Sequence, residues 1–513
     1  MASDKPSYRR ETTVLGAAIL LGVIHQGLFY GRDWGLSYPL FTLCFYLFYY
    51  WAIRERERFR LNSSLLLLAP VVLLSLTYAL FTNLLFMILN ALAIPCLLIV
   101  HTTWTVRGRE MSTMNAGAVI LSLLEQLFVH SLRYAPLPGK LASRLIAGRL
   151  RAERYRQLWK VLAGLVISLP ILLLVGALLA SADTMFDRTI SGLPRLLSGI
   201  PVGEAVIRTG WVVVAGGAMF VYVWGLLYPK EKPPAEEGRT ALALRHEEGG
   251  WEPGAAVSGP AEPVRMDPTI TATLLLVLNA VYMLFAVLQF SYFFGGGAAA
   301  LPEGVTYAEY ARRGFAELVI VTLINFALLM LTLHGVERTS RMMNRSLRVL
   351  AAMLIGCTGV MLCSAYFRLS LYEMAYGYSI TRILVHAFML FLVVLFALAL
   401  YKVWNERFRL FRPYAIVSIA AYVLINYIQV DAVVASSNLE RYEKTGSIDA
   451  AYLGTLSYEA VPYLVELERR DPNMREAAEA LDRVEERLTR ESSPSWTEFN
   501  WSKWKASRAL GSR

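Results

Sequence analysis

Glu317, Asp431, Asp183 and His386 are the side chains of this sequence whose types and settings could do acid–base chemistry or hold a charged ligand. Four arginines stand near them: Arg312, Arg313, Arg368 and Arg382. The spacing suggests Glu317 beside Arg312/Arg313 or Arg368, and Asp431 beside Arg382. All eight lie near the end of a long apolar run or in a short link between runs. A polar side chain at membrane depth is costly and is a functional candidate by default. His25, Asn90, Asn279, Gln289, Asn325, Asn426 and Gln429 also interrupt apolar runs. Lone Asn and Gln residues in such places serve as interhelical hydrogen-bond glue, worth about 0.6 kcal/mol each.

Recognised catalytic signatures are missing. The chain has no H-E-x-x-H, no G-x-S-x-G, no G-x-x-x-x-G-K-[ST] and no C-x-x-C. No two aspartates are adjacent or one apart, which removes the acidic pair of many metal-dependent lipid-linked sugar transferases. The six histidines are scattered and give no metal-ligand spacing. Gly295-Gly296-Gly297 follows an apolar run and not a strand, so it is a turn and not a phosphate cradle. Cys44, Cys96, Cys357 and Cys363 sit in apolar runs as packing residues. No cofactor and no metal are expected, and no enzymatic activity can be assigned.

The elements that position these residues follow from hydropathy. Of 513 residues, 56% are hydrophobic and only 18% charged, with a mean hydropathy of +0.45. A soluble domain carries about 25% charge, and the apolar stretches here approach the roughly 20 residues that cross a bilayer. Secreted, nucleic-acid-binding and disordered classes are excluded. The expected fold is all-α: a polytopic transmembrane bundle of about eleven spans with a small extracytoplasmic C-terminal helical module. The spans are expected at 13–30, 37–53, 64–81, 84–104, 161–182, 207–228, 269–294, 315–334, 347–367, 380–404 and 414–435. The run from Ser64 to Trp104 is twice one span and is split near Thr82-Asn83.

Charge orients the bundle. With Met1 inside, the segments expected to be cytoplasmic carry thirty lysines and arginines. The outer links hold eight: Arg32, Arg188, Arg195, Arg208, Arg312, Arg313, Arg368 and Arg382. This positive-inside bias puts the N-terminus in the cytoplasm and the C-terminus outside. The net charge of +10 thus answers to anionic lipid and needs no nucleic acid.

The domains expected are four spans over 1–104, a cytoplasmic basic amphipathic region at 105–160, two spans over 161–228, a disordered cytoplasmic linker at 229–268, five spans over 269–436 and an outer helical tail at 437–513. The linker's prolines, glycines and glutamates cannot bury a core. In the tail, Asp471-Pro472 is a helix start, followed by a stripe of Met474, Ala478, Leu481, Val484 and Leu488. Trp496, Phe499, Trp501 and Trp504, with Lys503 and Lys505, suit either a membrane interface or the packing of that module.

Several strings carry a resemblance: Ala180–Phe186, Tyr292–Gly297, Thr306-Tyr-Ala-Glu-Tyr-Ala-Arg-Arg-Gly-Phe315 with Glu317-Leu318, Asn438–Tyr442, Ile448–Leu453, Leu456-Ser457 and Trp496 to Asn500. Over roughly residues 160–505 the chain resembles uncharacterised bacterial membrane proteins grouped as domain of unknown function 4173, and the related 4153 group. The resemblance implies a polytopic plasma-membrane protein and supplies no activity or site residues. Three functions stay open: a sensor or scaffold coupling an outer polar vestibule and tail to cytoplasmic protein partners, a small-solute transporter or channel, and a membrane enzyme acting on lipid or envelope substrates.

Overall fold

The computed structural model of the chain describes residues 8–54, 63–111, 116–146, 168, 201–228, 266–294, 315–337, 340–490 and 495–513. The expected span at 161–182, the linker apart from its last three residues, and Asp183, Arg312 and Arg313 lie outside the described residues (of 161–182, only residue 168 is described).

The regular elements among the described residues are all helical. Without water, main-chain N–H and C=O groups must pair inside their own segment. In chain order they are α1 Tyr8–Phe29, α2 Ser37–Ile53, α3 Leu68–Leu80, α4 Leu84–Met111, α5 Ala116–Leu124, α6 Leu137–Ile146 and α7 Pro201–Leu227. There follow α8 Pro268–Phe294, α9 Phe315–Gly335, α10 Arg341–Tyr376, α11 Ile380–Trp404 and α12 Phe411–Tyr427. The polar end comprises α13 Val430–Thr445, α14 Ala450–Leu453, α15 Val461–Arg470, α16 Arg475–Arg490 and α17 Trp501–Leu510.

Seven of these, α1, α4 and α7 to α11, are long and apolar enough to cross a membrane, and the bent pair α12–α13 makes eight if it counts as one span. The expectation was about eleven. α2 has only 17 residues, and the Leu65–Leu80 stretch is a shorter apolar helix. The long run does break near Thr82-Asn83, since α3 stops at Leu80 and α4 starts at Leu84. The span expected over 414–435 is not one helix. The chain bends by 56° after Tyr427, with Gln429 in the left-handed region at φ 55°. α10 has 36 residues, about 54 Å at 1.5 Å per residue. It therefore absorbs Tyr372, Glu373 and Tyr376, which the sequence placed in a loop.

The chain packs as two compact units. One comprises Met1–Leu80, Met87–Glu247 and Ser493–Trp501. In it α1 and α7 touch through their backbones: a Cβ on Gly22 would meet the Val212 carbonyl at 2.5 Å, and one on Gly216 the Ala18 carbonyl at 2.8 Å. Small residues allow this close approach, which stands in for the missing hydrophobic drive in lipid. Within the region expected as basic and amphipathic, the described residues 116–146 form short pieces, α5, a π-turn at Glu125–His130 and α6. In α6, Leu141 is buried and Arg144 exposed. Residues 495–500 lie against the α1–α2 turn: Arg32 donates to Thr497 Oγ1 at 3.1 Å, and Leu36 N–H to the Phe499 carbonyl at 3.1 Å.

The other unit comprises Phe81–Phe86, Glu248–Ser492 and Ser502–Arg513. Helices α8 to α11 enclose a core that includes Leu275, Leu329, Leu354, Leu369, Leu392 and Ala399. Buried amides join them as glue. Asn279 donates to the Leu350 carbonyl at 2.9 Å, and Asn325 to Thr358 Oγ1 at 3.0 Å. At the α10–α11 turn a second core begins, in which Val434, Leu464, Ala480 and Leu481 pack with Phe86, Tyr378, Ile380 and Ile383. The polar C-terminal helices thus share a core with the ends of apolar ones. In α16 the buried stripe is Ala477, Ala480, Leu481 and Val484. The helix starts at Arg475, because Asp471 turns the chain first and accepts from Asn473 N–H at 3.2 Å.

Candidate functional site

The polar residues that do converge lie where α13 meets the α3–α4 turn. That turn is set locally: Asn83 caps α4, its Oδ1 accepting from Phe86 N–H at 3.1 Å. Its amide nitrogen then donates to Asp431 Oδ2 at 2.6 Å. Asp431 is in the first turn of α13, a place that favours a carboxyl group. Opposite, a short 3₁₀ turn at Tyr458–Ala460 presents Glu459. Thr82 holds it with two donors, N–H to Oε1 at 2.5 Å and hydroxyl to Oε2 at 2.9 Å. The Ser457 hydroxyl bonds both Asp431 Oδ2 and Glu459 Oε2. Asp431 is 2% exposed and Glu459 7%, yet Asp431 Oδ1 has no hydrogen-bond partner.

A second polar group lies along α10 and α11. His386 Nδ1 is 3.3 Å from Glu373 Oε1, both being largely buried, and its Nε2 is 3.4 Å from Ser370 Oγ. The turn between these helices is gripped from α13. Asn438 Oδ1 accepts from Tyr378 N–H and its amide donates to the Tyr378 carbonyl, each at 2.9 Å. Arg441 donates from Nε to the Met374 carbonyl at 2.9 Å and from Nη2 to that of Ala375 at 2.8 Å. A cation on the last carbonyls of a helix satisfies orphan acceptors and complements the macrodipole.

The five described side chains among the eight singled out from the sequence, Glu317, Arg368, Arg382, His386 and Asp431, do not form one cluster. Asp431 is not beside Arg382. Arg382 lies over the Tyr372 ring, 4.2 Å from its centroid, and donates to the Gly377 carbonyl. Glu317 stands exposed in the first turn of α9 and makes no ion pair with Arg368, which is half-buried on α10. His386 pairs with Glu373 instead. The reason is geometric: sequence shows which end of a helix a residue occupies, but rotation about the axis decides its neighbour. Glu459, Ser457, Thr82, Asn83 and Arg441 went unnoticed as site residues because each sits outside the apolar runs or at a turn. A signal existed, since Asn438, Arg441 and Ser457 lie in the strings that carry the resemblance.

Among the described residues no three His, Cys, Asp or Glu side chains gather as metal ligands. A cleft elsewhere in this unit, lined by Asn344, Arg348, Lys402 and Glu406 among others, has an Arg348–Glu406 ion pair at its edge.

No curated protein and no solved structure matches the chain. One family does, described as a domain of unknown function (DUF4153), over residues 68–467. The match takes in part of the N-terminal region that the resemblance left aside, and it names the 4153 group of the two. Since it covers well over half the sequence, the chain belongs to the DUF4153 family.

Proposed function

We propose that this membrane protein is a sensor or scaffold whose C-terminal helical module takes up a signal and passes it to the helix ends that it grips. The observation that supports this reading is the shared core: Val434, Leu464 and Leu481 of the module pack with Phe86, Tyr378 and Ile383 at the ends of apolar helices. A displaced module has to move those ends too, because close-packed cores transmit strain and do not deform freely. In this reading the module lies outside a bacterial plasma membrane, and the basic segment at 105–160 and the glutamate-bearing linker at 229–268 lie inside, where they meet a protein partner; the positive-inside charge asymmetry of the sequence supports it.

A transporter or channel is the second reading, favoured by the 56° break before α13 with buried Asp431 just past it. Discontinuous helices present charge to coupling ions in this manner. An envelope-acting enzyme has less support, because Glu317, His386 and Asp431 stand apart on three helices.

The deciding experiment is purification of the full chain from native membranes. The sensor reading expects a protein partner that the wild type retains and Asn438→Ala, inserted at equal level, loses. Solute flux into liposomes containing this protein alone, with no partner retained, would overturn it in favour of transport.

A further inference from the structure

The hydrogens around Asp431 and Glu459 do not add up for two ionised carboxylates. A serine hydroxyl has one hydrogen, yet Ser457 Oγ is bonded to Asp431 Oδ2 and to Glu459 Oε2. One contact uses that hydrogen. The other closes only if a carboxyl brings its own proton, or if a cation lies against the oxygens.

The Ser457 main-chain N–H also faces the Asp431 carboxyl, and the donors of Thr82 and Asn83 are committed. The Thr82 hydroxyl donates to Glu459 Oε2 and accepts from Tyr458 N–H at 3.1 Å. Thr82 N–H goes to Glu459 Oε1, and the Asn83 amide to Asp431 Oδ2. Both oxygens of Glu459 are therefore served, while Asp431 Oδ1 is buried with no hydrogen-bond partner.

Charge is short as well. Neither carboxyl forms an ion pair with a lysine, arginine or histidine among the described residues. Glu459 is the charged group facing Asp431 from the 3₁₀ turn, and the α3–α4 turn offers only neutral Thr82 and Asn83. On α13 itself, Arg441 is held by the Met374, Ala375 and Ser447 carbonyls, and Glu440 pairs with Lys444. From α17, Lys503 lies over the Tyr458 ring at 5.9 Å. Two like charges buried side by side cannot both persist, so one is neutralised or compensated.

We infer that Asp431, Ser457 and Glu459 form a binding site for one monovalent positive charge, a proton or a sodium-sized ion, whose occupancy holds α13 and the 3₁₀ turn onto Thr82-Asn83. A divalent ion is a poor fit: Ca²⁺ takes six to eight oxygen ligands, and the site offers two carboxyls and one hydroxyl. This deepens the sensor reading by naming the ligand of the module, and it rests on that reading only for what occupancy communicates.

The test is thermal melting of the full chain in detergent. At pH 8 the wild type is compared in choline chloride and in sodium chloride, and then from pH 8 to pH 5 in choline chloride. A sodium site raises the melting temperature with sodium at pH 8, by about 3–5 °C at a hundredfold excess over Kd. A proton site raises it on acidification alone. Asp431→Asn has a neutral amide in place of the carboxyl and is expected to melt alike in sodium and choline, and to lose the acid-induced rise. Only the part of the pH response abolished by Asp431→Asn counts.

Should Asp431→Asn fail to fold, Ser457→Ala, which removes the bridge, is expected to shrink the response at least twofold. A wild-type melt insensitive to both sodium and pH, or a response that these variants leave unchanged, overturns the site. A cation-dependent melt without any retained partner instead keeps the site and removes the sensor reading.

Discussion

Asn438 and Tyr378 exchange two hydrogen bonds, the side chain of one accepting from and donating to the main chain of the other, each at 2.9 Å. Asn438 is only 6% exposed, so no water can replace it. Truncation to Ala leaves both main-chain groups of Tyr378 without a partner, at about 1–3 kcal/mol each. Asn438→Ala should therefore destabilise the protein by roughly 2–4 kcal/mol, read from a denaturant or thermal melt in detergent. Asn438→Asp, which keeps the acceptor and loses the donor, should fall between it and the wild type.

Two glycines with positive φ should differ in their tolerance. Gly377 has φ +85°, and a Cβ there would meet Asn438 Oδ1 at 2.7 Å. Gly446 has φ +67°, and a Cβ there meets nothing within 4 Å. Backbone strain alone costs of order 1–3 kcal/mol. Gly446→Ala should cost about 1 kcal/mol, and Gly377→Ala about 3 kcal/mol because it also pushes on Asn438. Equal melting temperatures for the two variants would refute the contact.

Asp267 begins α8 with its Oδ1 accepting from Thr269 N–H at 2.7 Å and Ile270 N–H at 3.2 Å. These main-chain donors, that of Thr269 foremost, hold its carboxyl below the ordinary 3.8. A carboxyl lowered on folding adds stability above its unfolded value and loses it as pH falls through the folded one. Asp267→Ala should lower the melting temperature at pH 7, and the gap from the wild type should close as pH falls below about 4. Asp267→Asn, which keeps the capping oxygen, should show a smaller loss at pH 7.

The aromatic side chains beside the α1–α2 turn are exposed: Trp34 43%, Trp496 69% and Trp501 45%. Indole is favoured at the membrane–water boundary. In liposomes, lipids brominated near the head group should quench tryptophan emission, and Trp496→Phe should reduce the quenched fraction. Unchanged quenching would mean that Trp496 faces water.

Much of the helix plan was legible in one dimension. α2 and α11 have the expected bounds, and the break between α3 and α4 falls at the expected dipeptide. Hydropathy reports length and polarity, and these decide whether a segment forms a helix in lipid. The continuation of α10 to Tyr376 was not legible, because its last turns carry ordinary polar residues. The bend before α13 was hidden for a similar reason, since Gln429 is not a usual breaker and takes its left-handed conformation in the folded chain.

By itself the sequence determined that this chain is membrane-embedded and helical, because apolar length and charge are properties of a segment alone. Only the tertiary structure decided which polar groups meet. Asp431 was recognised as a candidate and given the wrong neighbour. Its partners, Asn83, Ser457 and, through the serine, Glu459, come from segments up to 348 residues away. Rotation of each helix about its axis and packing of the module against the span ends bring them together. No local pattern records either.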